Sequence, residues 1–254
     1  MKTLIFQLQA PLSSWGDVAV GEYRPTSDYP TQSAIQGLLA AALGIARASD
    51  IEQQAMCGGY RIAVGVLDPG RLLRDYHTTQ VPGRSDLKKW PHATRKDELS
   101  LPKDQLNTIL STRDYRQDAA YLVAVQTAEN AAYSLQKIVN SLNFPKFSLC
   151  LGRKSCPIAV PLHPCIIESK NIYQAFLLYQ SDLVALWLKV LPAQVAPPNL
   201  PIVKIAWGDN FGVDDMDTIG VVRDVSFTRK DQVITRQGWQ FSDRYEHVAI
   251  LVKE

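Results

Sequence analysis

Residues 119–142, AAYLVAVQTAENAAYSLQKIVNSL, decide the fold. The first nine, residues 119–127, read as a strand. The remainder changes period: Ala132, Leu135, Ile138, Val139 and Leu142 recur at helical spacing, so a helix is expected over residues 129–142. A strand and a helix also open the chain. Residues 2–10, KTLIFQLQA, alternate Leu4, Phe6 and Leu8 against Ile5, Gln7 and Gln9, the mark of a strand with one well-buried face. A loop rich in Ser, Gly, Asp and Pro fills residues 11–30, after which Thr31 and Ser33 offer hydroxyl caps to a helix over residues 34–46. That helix carries Ile35, Leu38, Leu39, Ala42, Leu43 and Ala46 on one face, with Gly37, Ala40, Ala41 and Gly44 small enough for close packing on a sheet. A further strand over residues 60–67 stops at the turn Asp68-Pro69-Gly70.

The order is therefore β-α-β, a long insertion, then β-α. If a strand near residues 147–151 closes it, the fold is α+β with a split β-α-β, ferredoxin-like domain. From Gly152 the pattern changes to a Pro-rich stretch, an apolar helix over residues 172–191 ended by Pro192, a Pro-rich linker at 196–201 and short strands. Two domains are expected, residues 1–150 and a smaller, β-rich domain over residues 151–254. No internal repeat of fixed period is seen.

Composition excludes several classes. The chain has 254 residues, 46% hydrophobic and 20% charged, so it is long enough for a substantial core and too apolar to be disordered. Its longest apolar stretch, residues 34–46, falls short of the ~20 residues that span a membrane. The start MKTLIFQLQ lacks the ordered regions of a secretory signal, and a cytoplasmic protein without membrane association is expected. Cys57, Cys150, Cys156 and Cys165 form no C-x-x-C and read as small buried hydrophobes. No motif for a cofactor or metal is present.

The net charge is only +2, so position matters more than total. Residues 71–116 hold ten Lys or Arg against six acids, whereas the rest of the chain, 17 Lys and Arg against 19 Asp and Glu, is net acidic. Arg74 and Arg113 belong to this insertion, which interleaves Tyr76, His77, Trp90, His92 and Tyr115. Cations among aromatic rings suit single-stranded RNA, with bases on rings and phosphates on cations; the plainer reading is a solvated loop. An insertion so long between two strands is too large for a mere connection. A second basic spot, Gly152-Arg153-Lys154, lacks the upstream glycine of a nucleotide-binding loop but can turn its backbone and two cations toward a phosphate.

Catalytic patterns are sparse. The histidines show no H-x-x-x-H, no G-x-S-x-G is present, and Asp209, Asp214, Asp215 and Asp217 lack calcium-loop spacing and read as a solvated loop. The one tenable chemistry is metal-independent RNA cleavage with His77 or Tyr76 as base.

LQAPLSSWG (residues 8–16), RPTSDYPTQSAIQGLLAAALGI (24–45), RDYHT (74–78) and PKFSLCLGRKSCP (145–157) resemble the CasD family, the 5′-handle-binding subunits of type I-E Cascade CRISPR surveillance complexes. The likeness runs in order over roughly the first 160 residues, and Arg223-Asp224 with residues 236–244 adds a weaker similarity near the end. The resemblance implies a RAMP-type ferredoxin-like domain whose basic insertion, about residues 77–116, is a β-hairpin thumb. It implies contact with the crRNA 5′ handle, the adjacent backbone subunit and the large PAM-recognising subunit, and with target DNA through the complex, in antiviral defence. It favours a non-catalytic role, the alternative being a crRNA-processing endoribonuclease of the type I-C kind. Thr31, Gln32 and Ser33, at a helix N-terminus with Arg24 just ahead, are where this implication meets the residue chemistry, since free N–H groups there favour a phosphate. Trp15, Tyr76 and Tyr115 are the candidate stacking rings, Trp15 reading equally as a core-edge aromatic.

Overall fold

The computed structural model describes residues 1–85, 93–192, 200–211, 221–235, 238 and 240–251. Trp90 and His92 of the insertion, most of the 196–201 linker, Asp214, Asp215, Asp217 and Arg236 lie outside the described residues.

A seven-stranded sheet frames the chain. Its strands are β1 (Lys2–Gln9), β2 (Tyr60–Asp68), β5 (Ala120–Thr127), β6 (Cys165–Glu168), β7 (Lys204–Gly208), β8 (Val221–Thr235) and β9 (Gln240–Leu251); β3 (Arg71–Pro82) and β4 (Leu106–Gln117) form the insertion. Across the sheet the order is β6-β1-β5-β2-β7-β9-β8, every neighbour antiparallel. Strands from both sides of residue 150 thus share one sheet.

Helices cover both faces. On one, α1 (Gln32–Leu43), α2 (Asp50–Gly58) and α3 (Leu135–Asn143) bury Ile35, Leu39, Met56, Ile138 and Leu142 against Leu4, Phe6, Leu8, Val123 and Val125. On the other, α4 (Ile172–Val190) packs Ile172, Phe176 and Tyr179 against Ile5, Leu122, Ala124 and Ile205. The single buried face expected for β1 is accordingly two, because α4 covers the side that carries Ile5. Alternation along β5 divides the strand between the two cores.

Helix α1 begins at its cap, where the Ala34 N–H donates to Thr31 Oγ1 at 3.2 Å, and ends at Gly44. Its small residues do not all meet the sheet: Ala34, Gly37 and Ala41 face outward, leaving a shallow channel. The third helix starts at Leu135 rather than 129. Tyr60 OH engages both the N–H and the C=O of Tyr133 at 2.8 Å and so holds the preceding residues out of a helix, and Ser134 caps the start.

No strand forms at residues 147–151. The Lys146 and Phe147 N–H groups donate to the Ala42 and Ala41 carbonyls, docking this segment on α1, while Cys150 bridges to Pro157 across a turn. The edge beside β1 is taken by β6, with Lys2 opposite Glu168. Of the cysteines only Cys156 is fully buried; Cys57, Cys150 and Cys165 are half-buried.

The insertion is a two-stranded arm. β3 and β4 pair without a break from Arg71 opposite Gln117 to Pro82 opposite Leu106, so it begins six residues before the expected start at residue 77. Its base is buttressed by Leu12–Ser13, antiparallel to β4, and by Tyr23–Arg24, parallel to it. No helix of the described residues is long and apolar enough to cross a membrane.

Candidate functional site

The outward channel of α1 opens into a groove of about 690 Å³. Besides the loop after β1, with Ser14, Gly16, Asp17, Val18 and Ala19, three separate stretches supply its walls. Thr31 and Ser33 come from the N-terminus of α1, Gly152 and Arg153 from the basic turn, and Arg229, Lys230, Asp231 and Phe241 from the β8–β9 hairpin. Sequence reasoning found the first two stretches because each has a local signature, a capped helix start and a glycine-opened basic turn. It missed the third, since nothing local says that residues 229–241 fold back over residue 31.

Gly152 closes the turn against the loop after β1. Its φ is +86°, and a Cβ there would lie 1.8 Å from the Ser14 carbonyl oxygen, so only glycine fits. The turn is drawn in further by Ser14 N–H donating to the Leu151 carbonyl at 3.0 Å. Arg153 stands over the Tyr115 ring, 4.7 Å from its centroid, and donates to the backbone carbonyls of Asp114 and Arg24 at 3.2 Å. Its guanidinium thereby ties the turn to the base of the arm as well as lining the groove. Lys154, exposed at the same turn, has no such ties among the described residues.

Arg229 is fixed from behind. Its Nε meets Glu246 Oε2 at 2.9 Å, its Nη2 reaches Ser27 Oγ and Tyr29 OH at 3.3 Å, and Tyr29 OH donates to Glu246 at 2.6 Å. Burial and the neighbouring Glu246 carboxylate push the Tyr29 phenol well above its ordinary pKa. Arg244 bridges Glu246 and Asp231, closing a compact set of two guanidiniums and two carboxylates. These ions largely neutralise one another, leaving Lys230 as the exposed cation that lines the groove among the described residues, with Lys154 exposed at the adjoining turn.

The other expected site residues divide. Trp15 is 1% exposed and packs edge-on against Tyr121 with centroids 5.7 Å apart, so it is a core residue with no free face. Tyr115 is 8% exposed and Arg153 covers its ring, which removes it as a stacking platform. Gln32 turns away from the groove toward Gly208 and Arg244. Arg24 donates to the Gly21 and Tyr23 carbonyls of its own loop.

On the arm, Arg74 grips Asp114 through two hydrogen bonds of 2.9 and 3.0 Å and also reaches Tyr23 OH. This pairing holds the Asp114 carboxyl below the usual carboxylate range, aided by the Tyr23 hydroxyl. Tyr76 is 65% exposed, and His77 Nδ1 lies 3.9 Å from Asp75. Cross-strand partners share a face, so Arg74 and Tyr76 lie on one side of the arm and His77, Arg113 and Tyr115 on the other. The insertion therefore does not gather its candidates into one patch. Away from the groove, Asp209 is bound rather than free: it meets His247 Nε2, whose Nδ1 lies 2.6 Å from Ser226 Oγ.

Comparison with known proteins carries the reading further. Residues 3–237 match the family model described as CRISPR-associated protein (Cas_Cas5), well past the 160 residues over which the likeness was legible. The chain is 31% identical over 185 residues to the CRISPR system Cascade subunit CasD of Escherichia coli (strain K12), a match that spans 70% of this chain and 76% of that one. Among solved structures, a chain of a CRISPR RNA-guided surveillance complex superposes with a TM-score of 0.60 at 21% identity, covering 98% of this chain and 90% of its own. A second, described as a Cas protein, gives 0.55 at 22% identity, covering 99% and 95%. The structures share the mixed α/β fold of mostly antiparallel sheets, and the family model and the CasD match together show that the chain belongs to the Cas5 family of CRISPR-associated proteins.

Proposed function

We propose that this chain is a non-catalytic RNA-binding subunit of a type I-E-like Cascade complex, in which it caps the 5′ handle of crRNA. The observation that carries this is the convergence of the α1 N-terminus, the Gly152–Lys154 turn and the β8–β9 hairpin on one cation-edged groove, in a chain 31% identical to a Cascade subunit. A helix N-terminus and a glycine-opened turn offer backbone N–H groups to a phosphate, and Lys230 and Lys154 add charge. We read β1, α1, β2, β5, α3 and β6, whose strands lie in the order β6-β1-β5-β2, as a ferredoxin-like RAMP unit, and the arm as its thumb, reaching the adjacent backbone subunit. The large PAM-recognising subunit is the other expected neighbour, target DNA is reached through the assembly, and the setting is cytoplasmic.

Fluorescence anisotropy with handle RNA over a salt series tests the groove. Lys154→Gln with Lys230→Gln should flatten the log–log slope by about 1.4, or ~0.7 for each phosphate that a lysine no longer neutralises on a single strand. An unchanged slope would mean that both cations face only solvent. The non-catalytic part is tested with labelled repeat RNA, which should remain intact. Site-specific cleavage abolished by His77→Ala would replace this reading with the nuclease alternative.

A further inference from the structure

The segment that leaves α3 carries two large rings in water. Phe144 is 83% exposed and Phe147 48%, with Pro145 and Lys146 between them. Scattered exposed side chains need no explanation, but these two are neither scattered nor loose. The Phe144 N–H donates to Asn140, and the Lys146 and Phe147 N–H groups donate to Ala42 and Ala41 at 3.0 and 3.2 Å, so the backbone that presents the rings is pinned to the C-terminal end of α1. The stem of Lys146, which stands between the two phenylalanines in sequence, crosses over Gly44, and the residue is exposed. The next residue, Ser148, already lines the groove, as does Ala41.

A strand lying in the groove from Arg229 and Thr31 along Ala34, Gly37 and Ala41 would therefore leave it beside Phe147. We propose that Phe144 and Phe147, with Lys146, form a stacking platform for unpaired bases of the same RNA strand as it passes the C-terminal end of α1. This rests on the RNA reading of the groove and extends it. Phenyl faces bind any base without sequence preference, and a lysine beside them meets the phosphate of a stacked nucleotide. The platform takes over the role that the burial of Trp15 and Tyr115 denies to those rings.

The test uses the full chain and two labelled single strands, of about four and about twelve nucleotides, the range that one such surface covers. Phe144→Ala with Phe147→Ala should weaken the longer strand by at least about fivefold per ring, and leave the shorter strand and the salt slope unchanged. Phe→Leu at both positions should lose as much, which separates stacking from simple apolar contact. Lys146→Gln should instead lower the slope for the longer strand by ~0.7. Thermal melts should stay close to wild type, since Phe144 is almost wholly exposed and Phe147 about half so. Equal affinity of the Phe variants for the longer strand would overturn the platform, while the Lys154 and Lys230 variants would still report on the groove. Normal RNA affinity with loss of a neighbouring subunit on co-purification would overturn it in favour of a protein contact. Failure of the wild-type chain to bind either strand would overturn the groove reading and the platform together.

Discussion

Gly152 and Asp114 each do something that no neighbouring residue type could. At Gly152 any side chain meets the Ser14 carbonyl in a backbone conformation that already costs an L-residue about 1–2 kcal/mol. Gly152→Ala should lower stability by roughly 2–4 kcal/mol, measured by urea denaturation, and open the turn that walls the groove. Asp114, 3% exposed at its side chain, accepts from Arg74 and Tyr23. Its folded-state pKa is depressed below 3.8, so its contribution is complete above the ordinary carboxylate value and fades as pH falls through the depressed one. Asp114→Asn should cost about 1.5–3 kcal/mol at neutral pH, and the gap from wild type should narrow only below about pH 4, read from denaturation curves across pH. The loss of the helix cap in Thr31→Ala should cost about 1 kcal/mol in the same assay.

The elements show which signals a sequence carries and which it does not. β1, α1 and α4 are legible because their periods are long and their breaks are marked by Pro or Gly, and β5 because its apolar run over residues 119–125 is unbroken. Helix α2 is not, because its short polar run buries little beyond Gln53 and Met56. The closing strand lies at residues 165–168 rather than 147–151, since residues 147–151 are apolar enough to pair and only their docking on α1 takes them away. At the site, Thr31, Ser33, Gly152 and Arg153 were found from local chemistry, whereas composition could not tell which way Trp15 or Tyr115 points. The arm has its own test. Replacing residues 80–108 with Asn-Gly keeps Thr79 opposite Ile109 and the support of Tyr23–Arg24 at Thr112 and Arg113. The variant should show wild-type circular dichroism and fail to co-purify with the neighbouring subunits; recovery of the complete assembly would make the arm a solvated projection.

Across the whole molecule, Glu246 couples regions far apart in the chain. It holds Arg229 and Arg244 of the β8–β9 hairpin and Tyr29 of the loop before α1, all in a setting where its own side chain is 4% exposed. Removing one member of such a set leaves a buried charge unmatched. Glu246→Gln should cost about 3 kcal/mol, seen as a lower urea midpoint at unchanged m, and should weaken RNA binding as Arg229 loses its fixed position.

The arm also has a mechanical meaning. Only Pro69-Gly70 and Asp118-Ala119 separate its two strands from β2 and β5, which lie side by side in the seven-stranded sheet. These short joints sit together as a fulcrum, braced by Gly70 N–H on Asp68 and Asp118 N–H on Pro11. Twelve paired residues make a lever of roughly 40 Å. A load applied at its far end passes down both strands at once and is borne by the most deeply buried part of the chain, so a neighbour that pulls on the tip pulls on the core.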